Sequence, residues 1–204
     1  MYKRQSIYLI VPKFINSSKR VNLLKNLLIQ KYNFDLEDFE SINYKIFPRP
    51  QIVVSKFKIK SSSLLLSNTG DKLKVYLRFK DLINFDYLNS NSLLIENSKI
   101  SIDVKNFQKV INYLGNLKKK ILIKDSEIII LDADSLIVNI KNFNFENKNF
   151  EDFKLEGLIF GKKIKINLLK HAELNKLTFS IPSLGSKTKV ILKKNFSIKN
   201  FEGN

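Results

Sequence analysis

The chain has 204 residues, a length that fits one ordinary domain with a sizeable core. Hydrophobic residues make up 44% and charged residues 27%, a mixture typical of a chain that folds in water. The sequence contains no cysteine, which excludes disulfide frameworks, thiolate zinc sites and cysteine nucleophiles. The formal net charge of +17 raises nucleic acid or an anionic membrane surface as a partner.

Lysine carries nearly all of this positive charge. Arginine, which nucleic-acid-binding proteins favour for bidentate contacts, occurs only at Arg4, Arg20, Arg49 and Arg78. The chain is also rich in Ile, Asn, Phe and Lys, as AT-rich codon usage produces. We therefore attribute most of the charge to composition and expect no nucleic acid as a partner.

The N-terminal end is apolar only over a short stretch. No run reaches the roughly 18 to 20 apolar residues that span a bilayer, and the stretch at residues 7–11 is followed by Pro12. We interpret residues 1–12 as a remnant of an N-terminal membrane helix, with a first strand as the alternative. Residues 13–204 are predicted to form a single β-rich domain that continues beyond residue 204.

The first predicted element is a helix. Apolar residues recur at helical spacing over residues 19–31, after Ser17 and Ser18. The period then changes to two, and Pro48 and Pro50 break a strand over residues 42–46. A further strand is predicted with Val53, Ser55, Phe57 and Ile59 on one face, and residues 67–70 are predicted to form a turn.

The clearest alternation follows at residues 72–79. Leu73, Val75, Leu77 and Phe79 share one face, with Lys72, Lys74, Tyr76 and Arg78 on the other. Ile100, Ile102 and Val104 repeat this design against polar neighbours. An apolar stripe over residues 107–117, which ends in three lysines, predicts a second amphipathic helix.

The second half of the chain reads as a succession of strands. They are predicted at residues 121–131, 136–145, 153–160, 163–169, 174–181 and 187–193. The connections are short, and parallel pairing would need crossovers of about a dozen residues, so we predict an antiparallel meander. The fold class is therefore α+β and mostly antiparallel β, an extended curved sheet or groove with two short amphipathic helices.

Few residues suggest chemistry. The lone histidine, His171, leaves no histidine cluster for a metal and is best explained as a surface or loop residue. Asp132 and Asp134 are interpreted as turn residues rather than as a cation site. The six glycines are scattered without a phosphate-loop spacing. We expect no enzyme activity, no cofactor and no metal.

The predicted strands have more apolar faces than the predicted helices can cover. Two short helices are too few to cover the apolar faces of about eight strands. Such a sheet must pack on itself or on another sheet, or it must leave an apolar groove for a ligand. The pattern by itself favours self-packing as a sandwich or barrel.

The order of elements at the start of the chain resembles the AsmA-like family. The relevant segments are Val11-Pro-Lys-Phe-Ile15, the first helix, Tyr32-Asn-Phe-Asp-Leu36 and the Pro48-Arg-Pro50 break before a strand. The strand from Val75 and the return strand from Leu94 are also similar, so the resemblance covers about residues 7–130. We expect the membrane helix of the family to be either missing here or cut to residues 7–11.

The resemblance favours the groove over self-packing. It implies a non-enzymatic protein anchored in the bacterial inner membrane on its periplasmic side, with phospholipid acyl chains as partners. Its β-groove would support phospholipid transport or outer-membrane assembly and homeostasis. The alternative is a basic β-rich module that binds nucleic acid or an anionic membrane surface. The candidate groove residues are Leu73, Val75, Leu77, Phe79, Ile100, Ile102 and Val104.

Overall fold

The fold is seen in a computed structural model. It describes residues 17–61, 65–78, 88–106, 109–110, 113, 119–148, 152–170, 174–193 and 198–203. The predicted membrane-helix remnant at residues 1–12 lies outside these ranges, as do Phe79 and His171. No helix in the described ranges combines the length and apolar character needed to cross a membrane.

The first helix, α1, spans Ser17–Tyr32 and confirms the sequence prediction. Leu24, Leu27 and Leu28 are buried along one side of it, as the helical spacing of apolar residues requires. The helix ends at Asn33, whose φ of 53° is left-handed, and the Phe34 N–H bonds back to the Leu28 carbonyl at 3.2 Å. Asparagine adopts this conformation more readily than most residues, so it terminates the helix.

The described residues include eleven strands, which form one sheet and follow each other in space in the order of the sequence. They are β1 Asp35–Lys45, β2 Gln51–Ser61, β3 Leu65–Leu77, β4 Ser90–Asp103, β5 Lys120–Asp132, β6 Ser135–Lys148, β7 Asp152–Ile159, β8 Lys162–Lys170, β9 Leu174–Ile181, β10 Ser186–Lys193 and β11 Ile198–Gly203.

Neighbouring strands are antiparallel except for β4 and β5, which pair in parallel. The meander predicted for the second half of the chain is confirmed, because β5 to β11 pair antiparallel throughout. The parallel pair is joined through residues 104–119, which begin with a 3₁₀ turn at Val104–Asn106. The second helix was predicted in this connection. Lys109, Val110 and Tyr113 are helical there, and the other residues of 107–117 lie outside the described ranges.

A row of backbone kinks crosses the first six strands, at one level in β1 to β5 and about one residue pair further along in β6. Four residues in this row have positive φ: Lys56, Asn97, Asp125 and Asn142, at 44°, 51°, 48° and 49°. Glu40 and Asp71 lie at the same level in β1 and β3, as the registers on either side of them show. We call these six positions the kink row.

The kink row reverses the side-chain alternation of each strand. In β2, Ile52 and Val54 lie on the same face as Phe57 and Ile59, because two consecutive side chains at Ser55 and Lys56 point to the other face. A β-strand with unbroken alternation would separate these pairs. The predicted grouping of Val53 and Ser55 with Phe57 and Ile59 is therefore wrong.

The turn predicted at residues 67–70 is also wrong, because this segment lies inside β3. Asn68 pairs with Ile59 and Ile100, and Gly70 pairs with Phe57 and Ser98. A Cβ atom on Gly70 would lie 2.7 Å from the Phe57 ring and 2.8 Å from the Ser98 Cβ. Glycine is present here because the neighbouring ring needs the space, and no turn is formed.

Candidate functional site

The sheet has one apolar face and one polar face. Cross-strand partners lie on the same face of a sheet, so the pairing registers assign each side chain to one of the two. Val54, Leu73 and Ile95 are directly paired and fully buried, and the same row continues into β5 with Ile123. The opposite face carries lysine, glutamate and asparagine. We refer to these as the apolar face and the polar face.

Most of the groove residues predicted from the sequence lie on the apolar face but are closed off from solvent. Leu73 and Val75 are fully buried, and Leu77, Ile100 and Ile102 are no more than 5% exposed. They belong to one core cluster with Leu24 and Leu28 of α1. Val104 lies beyond the end of β4, in the 3₁₀ turn, and is 39% exposed. Phe79 lies outside the described residues.

The space left on this part of the face is small. A cavity of about 70 Å³ lies between Phe34, Tyr113 and the apolar side chains of β4 to β6. Ligand pockets are typically about 300 to 1,000 Å³, so this cavity is too small for an acyl chain. Asn68 reaches it from β3, and its side-chain carbonyl is buried without a hydrogen-bond partner.

Two aromatic residues that line the cavity, Phe34 and Tyr113, are both in contact with Tyr32. The Phe34 ring lies 6.5 Å from that of Tyr32 and 6.4 Å from that of Tyr113. The Tyr32 hydroxyl shares a hydrogen bond of 2.8 Å with Ser90, and the Tyr113 hydroxyl donates to the Tyr32 carbonyl at 2.6 Å. Burial raises the pKa of Tyr32 to about 12 and also raises that of Tyr113.

The apolar face becomes more open toward the C-terminal strands. Phe153 and Ile164 in β7 and β8 are still buried. Beyond them lie Leu177, Phe179 and Ile181 of β9 and Val190 of β10, all only partly buried. A short 3₁₀ turn at Pro182–Leu184 contacts β8 and β10, whereas α1 contacts β1.

The C-terminal strands are predicted from the sequence, but their apolar residues are not among the predicted groove residues. The predicted groove residues lie where the alternation is clearest, in β3 and β4. Leu177 and Phe179 could have been identified because they lie far along the chain from the predicted helices. Strands close to a helix have their apolar face covered, and strands far from one do not.

A lysine lies on the apolar face at the end of β8. Lys170 continues the row of Ile164, Ile166 and Leu168. Its ammonium group is 5.2 Å from the centre of the Phe153 ring, a cation–π distance. Burial lowers the pKa of Lys170, because desolvation disfavours the charged form.

The polar face is organised by cross-strand ion pairs. Lys58 contacts Glu37 at 3.1 Å, and Lys74 contacts Glu96 at 2.7 Å. Glu156 in β7 lies between Lys163 and Lys165 of β8, and the hydrogen bond from Lys163 lowers the pKa of its carboxyl. Exposed pairs of this kind contribute about 0 to 1 kcal/mol each, and they hold register more than they add stability.

The carboxylates considered for chemistry do not form a site in the described residues. Asp134 lies in the two-residue turn between β5 and β6, and Asp132 ends β5, both with exposed side chains. The turn interpretation of these residues is confirmed. His171 lies outside the described ranges. Within those ranges no group of three or more His, Asp or Glu residues is placed to hold a metal ion.

No protein family matches the chain. Comparison with curated proteins and with solved structures likewise finds none that matches.

Proposed function

We propose that this is a non-enzymatic lipid-handling protein whose apolar face shelters phospholipid acyl chains along β7 to β10. The observation that carries the proposal is the partly exposed row of Leu177, Phe179, Ile181 and Val190. This row continues the buried apolar face of the first six strands. An apolar ligand can therefore contact a partly exposed apolar surface that adjoins the packed core.

The energetics favour an acyl chain as the ligand. Each methylene group that leaves water for an apolar surface gains about 0.8 kcal/mol, and the gain does not depend on direction. Several strands in series can therefore hold a flexible chain without a deep pocket. The small cavity near Tyr113 does not contribute to this surface, because α1, Val110 and Tyr113 close that part of the face.

The wider setting rests on the AsmA-like resemblance of residues 7–130. We propose that the protein is anchored in the bacterial inner membrane and works on its periplasmic side. There it would support phospholipid transport or the assembly and homeostasis of the outer membrane. The open, mostly antiparallel sheet with one apolar face supports this proposal, since a lipid groove of this kind needs an apolar sheet face that is left uncovered.

A nucleic-acid-binding role is less well supported by the arrangement of the two faces. Binding of single strands combines cationic and aromatic side chains on the same surface. Here Phe57, Phe143, Phe145 and Phe179 lie on the apolar face, whereas the paired lysines lie on the polar face. Tyr76 is the only aromatic side chain that the described strands place among the polar-face lysines.

The test compares a charge placed on each face of the same strand. Phe179→Glu changes the apolar face of β9, and Thr178→Glu changes the polar face one residue away. The probe is phosphatidylethanolamine labelled with nitrobenzoxadiazole, whose fluorescence rises in an apolar environment. We expect Phe179→Glu to weaken binding by at least about tenfold, because an unpaired carboxylate would contact the acyl chain. Thr178→Glu should bind like the unmodified protein.

Thermal unfolding of both variants shows whether they remain folded. Phe179 is only partly buried, so the substitution should leave the fold intact, unlike a charge at the fully enclosed Leu73. Mass spectrometry of lipids that copurify with each variant gives an independent readout. Equal probe binding by two folded variants would overturn the proposal that the apolar face of β9 carries the lipid.

A further inference from the structure

A basic cleft lies on the polar face near the N-terminal strands, at the opposite end of the sheet from the apolar row of β9 and β10. It is formed where the β1–β2 connection meets β3, and its volume is about 490 Å³. Four cationic side chains line it together with one tyrosine and one proline: Lys45, Arg49, Lys72, Lys74, Tyr76 and Pro48. We refer to this site as the basic cleft.

Three of the four cationic side chains of the basic cleft make no ion pair with a carboxylate. Lys74 is paired with Glu96 at 2.7 Å. Lys45, Arg49 and Lys72 make no ion pair in the described part of the chain, and Lys72 lies across from Glu96 in the strand register. Elsewhere on the polar face Lys58, Lys120 and Lys163 are each paired with a glutamate, whereas Lys187 and Lys189 make no ion pair in the described residues. Like charges held close together repel, so an anion in the cleft would be stabilised by all three unpaired groups.

An apolar side chain projects next to the cleft. Phe47 precedes Pro48 in the β1–β2 connection and is 74% exposed. A large aromatic residue gains nothing from contact with water, and one beside lysine and arginine is typical of a segment that rests in the headgroup region of a bilayer. The cleft thus combines an anion site with a group that can enter the apolar boundary.

We propose that the basic cleft docks on an anionic bilayer by binding the phosphate of a phospholipid headgroup, with Phe47 inserted beside it. Arg49 supplies a bidentate donor for phosphate oxygens, and Lys45 and Lys72 supply point charges. The site lies on the polar face, across the sheet from the apolar row of β9 and β10. It therefore goes beyond the acyl-chain surface and does not depend on it.

Vesicle flotation provides the test. The lipids are phosphatidylcholine alone and phosphatidylcholine mixed with phosphatidylserine, and the protein is the full chain. We expect binding only to the mixed vesicles, and Arg49→Gln with Lys72→Gln should weaken it by about twentyfold, or roughly fivefold per cation. Both side chains are exposed, so the double variant should fold normally.

A matched control separates the cleft from the general charge. Lys187→Gln with Lys189→Gln removes the same charge from exposed positions on the polar face of β10. This variant should keep vesicle binding within about twofold of the unmodified protein, because its charges lie far from the cleft. Equal losses in the two double variants would overturn the proposal, because they would show that net charge alone attracts the protein.

Phe47→Ser distinguishes a membrane from other sources of phosphate. We expect this variant to weaken binding to mixed vesicles while leaving a titration with inorganic phosphate unchanged. If Phe47→Ser has no effect on vesicles, the membrane proposal is overturned in favour of a soluble phosphate ligand. Tighter binding of single-stranded DNA than of mixed vesicles, lost in the cleft variant, would also overturn it.

Discussion

Gly70 shows how one residue determines the packing at the kink row. Its α-carbon faces the Phe57 ring on one side and Ser98 on the other, both closer than a methyl group allows. We expect Gly70→Ala to lower the free energy of unfolding by about 1 to 3 kcal/mol, because the ring must leave its position. Urea denaturation measures the change. Thr69→Ala, at the exposed neighbouring position, should stay within about 0.5 kcal/mol.

The residues around Gly70 also explain a polar patch in an apolar surface. Ser98 donates to the Ser126 hydroxyl at 3.0 Å, and Ser126 donates to the Lys124 carbonyl at 2.9 Å. Each serine lies at the kink of its own strand, where the ladder of backbone hydrogen bonds is disturbed. Small hydroxyl side chains satisfy backbone groups that a larger apolar residue would leave unpaired. A Gly70→Ala variant as stable as the unmodified protein would contradict this account of the packing.

At the level of the elements, the kink row depends on side chains that tolerate positive φ. Asn142 of β6 has a φ of 49° and an exposed side chain. Asn142→Val should cost about 1 to 2 kcal/mol of stability, because a β-branched residue is disfavoured in the left-handed region. Asn142→Gly should be tolerated, since glycine adopts this conformation without steric cost. Equal stability of the valine and glycine variants would show that the kink does not need a left-handed residue.

Asn167→Val is the matched control for this prediction. Asn167 lies in β8 on the polar face, away from the kink row, and valine favours the extended conformation. The substitution should leave stability unchanged or raise it slightly. Chemical denaturation of the three variants under one condition separates the effect of the backbone conformation from the loss of an asparagine.

The sequence predicts most of the elements because most strands alternate cleanly. The bounds of α1 and of β5 to β10 follow from hydrophobic period and from turn residues, which are local properties. The kink row could not be predicted in the same way. In the sequence, the part of β2 after the kink reads as a strand whose apolar residues lie on the other face. The reversal is recognised only from the kinks of the neighbouring strands. For the same reason Asn68 and Gly70 resembled a turn.

The candidate site was predicted less well, because burial depends on what covers each strand. Leu73, Val75 and Ile100 were correctly assigned to an apolar face, and α1 closes that face above them. Whether a helix lies over a strand is a property of the tertiary structure. The basic cleft was also missed, since Lys45, Arg49 and Lys72 come from three separate segments that only the sheet brings together.

For the molecule as a whole, the buried tyrosines predict sensitivity to alkaline pH. Burial raises the pKa of Tyr32 to about 12 from its ordinary value of 10.0, so the folded state keeps a proton that the unfolded state loses. The contribution of Tyr32 to stability is therefore constant below about pH 10 and falls as the pH rises from there toward 12. A shift of this size corresponds to roughly 2 to 3 kcal/mol lost above pH 12.

Tyr32→Phe isolates this contribution. The variant lacks the hydrogen bond to Ser90, so it should be less stable at pH 7 by about 1 kcal/mol. It also lacks the ionisable hydroxyl, so its stability should fall less steeply above pH 10, and the difference between the two proteins should shrink. Urea denaturation at steps from pH 7 to pH 11.5 measures both slopes, within the range of roughly 10 to 12 where the tyrosine titrates. Parallel slopes would mean that Tyr32 ionises as readily in the folded protein as in the unfolded chain. The aromatic cluster of Tyr32, Phe34 and Tyr113 would then have to open to water without unfolding the sheet.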